Sequence, residues 1–89
     1  VDLGPLSHRA NAISAGPIRT LAAAGVSGFK SMHSDFVNIA PLRRNVTNDD
    51  VGNAAVYLSS DLASGVTGEV HYVDSGFNIV GVTTPSKDK

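Results

Sequence analysis

The stretch Arg-Ala-Asn-Ala-Ile-Ser-Ala-Gly-Pro-Ile-Arg-Thr, residues 9–20, decides how the rest of the chain is interpreted. Its first half, residues 9–15, alternates between two faces, with Asn11 and Ile13 on one of them. Alternation with a period of two indicates a strand, and the small, mostly apolar side chains favour a short and mostly buried one.

The predicted strand ends at a turn made of small residues. Pro17 has no N–H for a ladder, and Gly16 tolerates unusual backbone angles. Residues 20–25 then predict a short helix with Thr20 as its cap. Because the side chains of this turn are small, a flat ligand could approach the backbone and hydrogen-bond to the main chain of Ile18. Its phosphate oxygens could then lie at the N-terminus of the predicted helix. The alternative is an ordinary strand-to-helix connection.

Composition predicts a small domain that belongs to a larger fold. The chain has 89 residues, 42% of them hydrophobic and only 17% charged, and so short a chain buries little surface by itself. It also begins at Val1 without Met, and we expect further chain before it. The net charge of −1 gives no case for nucleic acid or an anionic membrane. The absence of cysteine excludes disulfides and thiolate zinc sites and fits a reducing compartment, so we expect a cytoplasmic protein.

A second helix is predicted over residues 27–40, with Ser27 as its cap. Apolar residues spaced by three and four positions form one stripe along it. The stripe consists of Phe29, Met32, Phe36 and Ile39. It is either plain core packing or the wall of an apolar ligand site, and the flanking Gly25 and Gly28 favour a mobile lid.

A third helix opens at Thr47, with Asp50 completing a capping box three residues later. Its predicted packing face consists of Val51, Ala54, Ala55 and Leu58. We interpret Arg43 and Arg44, just before it, as a solvated pair.

The second strand is predicted over residues 69–73. Residues 74–76 break it, and the apolar residues 77–82 are interpreted as a short pairing segment or a subunit contact. Strands joined by helical crossovers usually run parallel. The predicted fold class is therefore α/β, with the other strands of the sheet outside this chain.

Recognisable catalytic machinery is missing from the sequence. Tyr57 and Tyr72 have no lysine within ten residues after them, and we interpret Tyr72 as a packed strand aromatic. The three histidines share no ligand spacing with carboxylates, so no metal site is predicted.

Four segments resemble the bacterial enoyl-acyl-carrier-protein reductases of the short-chain dehydrogenase/reductase family. They are residues 11–22, 40–44, 50–55 and 64–77. The run Ser-Ala-Gly-Pro-Ile-Arg-Thr-Leu-Ala within the first of them is specific to the enoyl reductases. Ordinary members of the short-chain dehydrogenase/reductase family share two other patterns of this chain. These are Asn-x-x-x-x-Gly-x-x-x-Thr, from Asn11, and Thr-Gly-x-x-x-x-x-Asp, from Thr67.

The resemblance implies the C-terminal part of a Rossmann-like, doubly wound parallel sheet with a mobile pair of substrate-lid helices. Residues 1–89 would belong to a single NAD(P)-binding domain, and the family's catalytic tyrosine and lysine would precede Val1. The implied activity is the NADH-dependent reduction of a trans-2-enoyl thioester on acyl carrier protein, in fatty acid biosynthesis, by a homotetramer. The chain alone is expected to be inactive.

The resemblance also implies roles for individual residues. Ile18 would bond the nicotinamide carboxamide through its main chain, and Thr20 would reach the cofactor phosphates. The implied cofactor residues are Ala15, Gly16, Pro17, Ile18, Arg19, Thr20, Leu21 and Ala22. The implied substrate residues are Ala22, Ala23, Val26, Phe29 and Met32. Two alternatives stay open, a different short-chain reductase such as a ketoacyl reductase and a non-catalytic assembly fragment.

Overall fold

The computed structural model describes residues 1–18, 25 and 28–81. These residues form two strands, β1 (Ala12–Ala15) and β2 (Val70–Val73), and two helices, α1 (Phe29–Ile39) and α2 (Asn48–Ser59). Single 3-10 turns lie at Gly4–Leu6, Asp61–Ala63 and Phe77–Ile79. The helix predicted over residues 20–25 lies, apart from its last residue, outside the described residues.

The two strands pair in parallel, as predicted. Ala12 lies opposite Val70 and Ala15 opposite Val73. Both strands start later than predicted, and before them side chains share the pairing with the Gly68 N–H, which donates to the Ala10 carbonyl at 2.8 Å. The Ala10 N–H donates to Thr67 Oγ1, and the Asn11 amide oxygen accepts from the Glu69 N–H.

The prediction that β1 is mostly buried is wrong. Ala12, Ser14 and Ala15 are exposed, and only Ile13 is half-buried. Tyr72, predicted to be packed, is 51% exposed. Among the described residues the sheet has two strands, with α2 against both of them. Two strands and one helix leave much of each face of the sheet open, although the predicted alternation itself is present.

Helix α1 is shorter than predicted at both ends. Its N-cap is Gly28, which has φ of 84° and makes no side-chain cap hydrogen bond, so Ser27 is not the cap. The helix ends at Ile39, since Ala40 precedes Pro41 and a residue before proline avoids helical angles. Along the predicted stripe Phe29 and Phe36 are buried and Ile39 is half-buried, while Met32 is 51% exposed.

Helix α2 begins with the predicted capping box. The Asp50 N–H donates to Thr47 Oγ1, and the Thr47 N–H donates back to Asp50 Oδ2. At the other end Arg9 donates to the carbonyl oxygens of Leu58 and Val66, at 2.9 and 3.1 Å. A guanidinium suits that position because the carbonyl groups at a helix C-terminus carry partial negative charge. Arg9 therefore fastens α2 to the start of β1.

The core is small and lies beside the turn that follows β1. Its buried residues are Phe36, Ala40 and Val46, and partly buried residues pack against them. The packed residues are Ile18, Val51 and Val73. The segment after β1 is thus attached to the end of α1 and to the residues that lead into α2.

Residues 77–79 form a 3-10 turn, and the predicted pairing segment is wrong for them. Gly76 turns the chain with φ of 89°, and the Asp74 carboxylate accepts from the main-chain N–H groups of Gly76 and Asn78. Those N–H groups are consequently not available to a neighbouring strand.

Neither described helix has the length and hydrophobicity that a membrane crossing requires.

Candidate functional site

Residues 15–18, which we call the bend, follow directly from β1. The Gly16 N–H still donates to the Val73 carbonyl at 3.0 Å, so the ladder extends one residue past the strand before Pro17 ends it. Ala15 is exposed, while Gly16, Pro17 and Ile18 are half-buried. The bend thus has one side against the core and one side open.

Gly16 is required for close packing. It is not among the residues with positive φ, so the tolerance of unusual backbone angles noted in the sequence is not used here. A Cβ at this position would lie 3.1 Å from Phe36 Cζ, 3.2 Å from Val46 Cγ2 and 3.4 Å from Asp74 Cα. Atoms of three separate segments therefore lie close to the position that a side chain of residue 16 would occupy.

Ile18 uses its side chain and main chain differently. The side chain packs on the core formed by Phe36, Ala40 and Val46. Within residues 1–18 and 28–81, its main-chain N–H and C=O make no hydrogen bond. Backbone polar groups are strongly driven to pair, so a flat ligand with an amide group would find a donor and an acceptor here.

The turn after β2 borders the bend. Asp74, 8% exposed, accepts from the Gly76 N–H at 3.1 Å, the Asn78 N–H at 3.0 Å and the Asn78 side-chain amide at 3.2 Å. The Phe77 ring lies 5.4 Å from the ring of Phe36, centroid to centroid. The sequence predicted residues 74–76 as a strand breaker within a segment that resembles the family, and their contact with the bend was not predicted.

The predicted substrate residues are only partly described. Phe29 is 8% exposed and stacks on His33, with ring centroids 5.3 Å apart, whereas Met32 is exposed. Ala22, Ala23 and Val26 lie outside the described residues. The same holds for four of the predicted cofactor residues, Arg19, Thr20, Leu21 and Ala22.

A groove of about 380 Å³ lies on the other side of β2 and was not predicted. It is lined by residues before and within α2, by β2 and by the turn after it, including Arg44, Asp50, His71 and Asp74. Of the predicted cofactor and substrate residues that the structure describes, none lines it. Arg44 and Asp50 are six positions apart on either side of a helix start, a spacing that predicts nothing from sequence alone.

The two arginines before α2 are exposed, as predicted, but each has a partner in the chain. Arg44 Nη1 lies 2.8 Å from Asp50 Oδ2. Its hydrogen bonds, followed by that of the Thr47 N–H, hold the pKa of the Asp50 carboxyl well below its usual range, and the same pairing raises the pKa of Arg44. Arg43 donates to the carbonyls of Ile39 and Ala40. The two arginines are thus solvent-exposed, as predicted, and their partners within the chain were not predicted.

The described histidines have non-metal neighbours. His33 stacks on Phe29, and His71 Nδ1 lies 3.8 Å from Glu69 Oε1. No group of three or more potential metal ligands occurs among residues 1–18, 25 and 28–81.

A parallel pair of strands joined by a helical crossover defines an α/β protein, and solved structures agree with this class. The Bacillus cereus enoyl-acyl carrier protein reductase, solved with NADP+ and indole naphthyridinone, matches with a TM-score of 0.85 and 57% identity. The match covers 91% of this chain and 32% of that one. The Anaplasma phagocytophilum reductase, solved in complex with NAD, matches with a TM-score of 0.81 and 48% identity over 93% of this chain and 29% of its own.

The family model described as enoyl-(acyl carrier protein) reductase matches residues 1–78. The NADH-dependent enoyl-acyl-carrier-protein reductase of Haemophilus influenzae is 60% identical over 81 residues, which are 91% of this chain and 31% of that protein. The corresponding Rickettsia typhi protein is 58% identical over 90% of this chain and 31% of its own length. The chain belongs to the enoyl-acyl-carrier-protein reductase family, as its sequence predicts. It spans about a third of the length of these curated relatives.

Proposed function

We propose that the chain is the C-terminal part of an NADH-dependent enoyl-acyl-carrier-protein reductase. In it, the bend holds the nicotinamide and the region from Ala22 to Met32 lines the acyl site. The observation that carries the proposal is the bend itself, in a chain of this family. The Ile18 side chain packs on the core, while the main chain of the same residue makes no hydrogen bond to the described residues. The substrate would be a trans-2-enoyl thioester on acyl carrier protein.

The residues of the bend fit a planar carboxamide. The Ile18 N–H would donate to the carboxamide oxygen, and the Ile18 carbonyl would accept from its NH₂. Exposed Ala15 is too small to block the approach, and Pro17 competes for no acceptor because it lacks an N–H. NADH, when bound, supplies the hydride. The chain's contribution is to orient the ring so that one face is turned to the substrate.

The proposal also concerns the catalytic residues and the contacts that parts of the protein outside residues 1–89 would supply. Catalytic tyrosine and lysine residues would come from the part that precedes Val1. Large apolar side chains are exposed on α2, the following turn and β2, including Val56 at 69%, Leu62 at 82% and Val70 at 52%. Such a surface supports burial by the remainder of the fold and by further subunits, which we propose form a homotetramer. We also propose that this protein is cytoplasmic.

A chimera tests the proposed activity. In the Haemophilus influenzae reductase, the segment matched over 81 residues is replaced by the corresponding residues of this chain. We expect this chimeric reductase to oxidise NADH, followed by the loss of its 340 nm absorbance, only when crotonyl thioester is present. The chain of residues 1–89 alone is expected to be inactive.

Three results would contradict the proposal. The first is a chimera that elutes as a folded oligomer but does not oxidise NADH. The second is a preference for 3-ketoacyl over 2-enoyl thioesters, which would favour a ketoacyl reductase. The third is NADH oxidation by the isolated chain, which would place catalytic groups within residues 1–89.

A further inference from the structure

We propose that Asp74 is a positioning residue for the coenzyme and acts on the bend through Phe77 and Phe36. This inference rests on the proposed function, because it takes the bend to be the nicotinamide site. Asp74 itself would touch neither coenzyme nor substrate.

The Asp74 carboxylate is buried and fully used within its own turn. Three N–H groups of Gly76 and Asn78 donate to its two oxygens, at 3.0–3.2 Å. A buried carboxylate is costly unless it is hydrogen-bonded, and bonds to a charged acceptor are stronger than neutral ones. The 3-10 turn after β2 is therefore held in one conformation by a single side chain.

That conformation fixes the Phe77 ring. The Phe77 N–H donates to the Asp74 carbonyl at 3.0 Å. Gly76 packs so closely on Pro41 that a Cβ would lie 2.9 Å from Pro41 Cγ. The Leu42 N–H donates to the Ser75 carbonyl at 3.0 Å. With the turn fastened on both sides, Phe77 stays tilted by 37° against Phe36.

Gly16, in the bend, packs against Phe36 and against the main chain of Asp74. The missing Cβ of Gly16 would lie 3.1 Å from Phe36 Cζ and 3.4 Å from the Cα of Asp74. A shift of the Phe36 ring or of the Asp74 main chain towards Gly16 would therefore displace it. Ile18, two residues on, would carry its N–H and C=O away from the carboxamide, and small misplacements of binding groups are costly.

Two substitutions in the chimeric reductase test this chain of contacts. Asp74→Asn replaces one acceptor oxygen by an NH₂ that faces the N–H donors, and Phe77→Leu removes the ring and leaves the carboxylate. We expect each to weaken NADH binding about tenfold, a change of ~1.4 kcal/mol. The readout is fluorescence titration of NADH, supported by the KM for NADH. The KM for the crotonyl thioester should stay unchanged.

The double variant distinguishes a shared path from two separate effects. Residues that act through one contact are not additive, so Asp74→Asn combined with Phe77→Leu should weaken NADH binding by about as much as either alone. An effect near the product of the two would overturn the proposal, as would an unchanged dissociation constant in both single variants.

A matched control separates positioning from general loss of stability. Leu58 is 8% exposed and lies near the C-terminal end of α2, away from the bend, and Leu58→Ala should destabilise the fold and leave NADH affinity unchanged. Equal weakening of NADH binding by this control would refute a specific role for Asp74. If the unsubstituted chimera fails to oxidise NADH, the proposed function fails instead, so the two failures are distinguishable.

Discussion

At the scale of single residues, Gly16 has little room for a side chain. Atoms of Phe36, Val46 and Asp74 come from three different segments and meet where its side chain would be. Packed interiors respond to the addition of even one methyl group. A substitution here acts on the core and on the bend together.

We therefore expect Gly16→Ala to destabilise the chimeric reductase by about 1 kcal/mol, at the low end for overpacking. NADH binding should weaken as well, since the backbone of the bend has to move away from Phe36. Urea unfolding and fluorescence titration measure the two effects.

Gly52 provides the matched control. It lies inside α2, and a Cβ there would meet nothing within 4 Å. Gly52→Ala should stabilise the protein by about 0.5–1 kcal/mol, because alanine favours helix and restricts the unfolded chain. If both substitutions changed stability in the same direction, the packing argument for Gly16 would be wrong.

The sequence predicted that the bend matters but not why. A glycine followed by proline signals a break in a strand, and that signal is local. The reason for Gly16 is the approach of Phe36 and Asp74, which are distant in sequence and can be located only in the folded chain. The same limit explains why the role of Asp74 was missed.

At the scale of elements, the start of α2 combines a capping box with an ion pair. Thr47 and Asp50 satisfy each other's main-chain N–H groups, and Arg44 adds its guanidinium to the same carboxylate. Asp50 in this position also faces the positive end of the helix dipole. The ion pair with Arg44 requires the ionised carboxylate, and the bond that this carboxylate accepts from the Thr47 N–H is stronger in that form.

The stability contributed by Asp50 should therefore depend on pH. Its pKa is lowered in the folded chain, chiefly by the Arg44 hydrogen bond. The contribution is fully present above the unfolded carboxyl value of ~3.9 and is lost as the pH falls below it towards the lowered pKa of the folded chain. Urea unfolding of the chimera and of its Asp50→Asn variant should show a difference that is constant near neutrality and shrinks below about pH 4.

A variant without the Arg44 guanidinium provides the control for this pH dependence. In an Arg44→Gln variant the main cause of the lowered pKa is absent, so the loss on acidification should be smaller and should be complete at a higher pH. A stability difference between wild type and Asp50→Asn that did not change on acidification would contradict the assignment.

Elements were predicted more successfully than their burial. The capping signature at Thr47 and the apolar spacing of Phe29 and Phe36 depend on neighbours along one helix, and both were correct. The packing of Tyr72 and the buried character of β1 depend on what lies against the sheet, which no local pattern contains. In the described residues those faces are largely open.

At the scale of the whole molecule, the described core is small for the apolar surface that surrounds it. Three residues, Phe36, Ala40 and Val46, form its buried cluster, while Leu62 and Ile79 are 82% and 76% exposed. A short chain with so little buried surface gains little from folding alone.

We expect the isolated 89-residue chain to unfold without a cooperative transition and to bind a hydrophobic dye. The chimeric reductase, which covers the same faces, should unfold in one sharp step. Circular dichroism against temperature measures both unfolding transitions, and the fluorescence of the dye measures its binding. A steep two-state transition in the isolated chain would show that residues 1–89 fold by themselves.

Because β1 and β2 lie far apart in the sequence, the two sides that support the bend are synthesised at different times. Ala12 to Ile18 are translated well before Val73 and Asp74. Until then β1 lacks its pairing with β2, and Gly16 lacks its contact with the main chain of Asp74. A message cut short before the codon for Val70 would consequently yield a polypeptide that retains every residue of the bend and still lacks the support that shapes it.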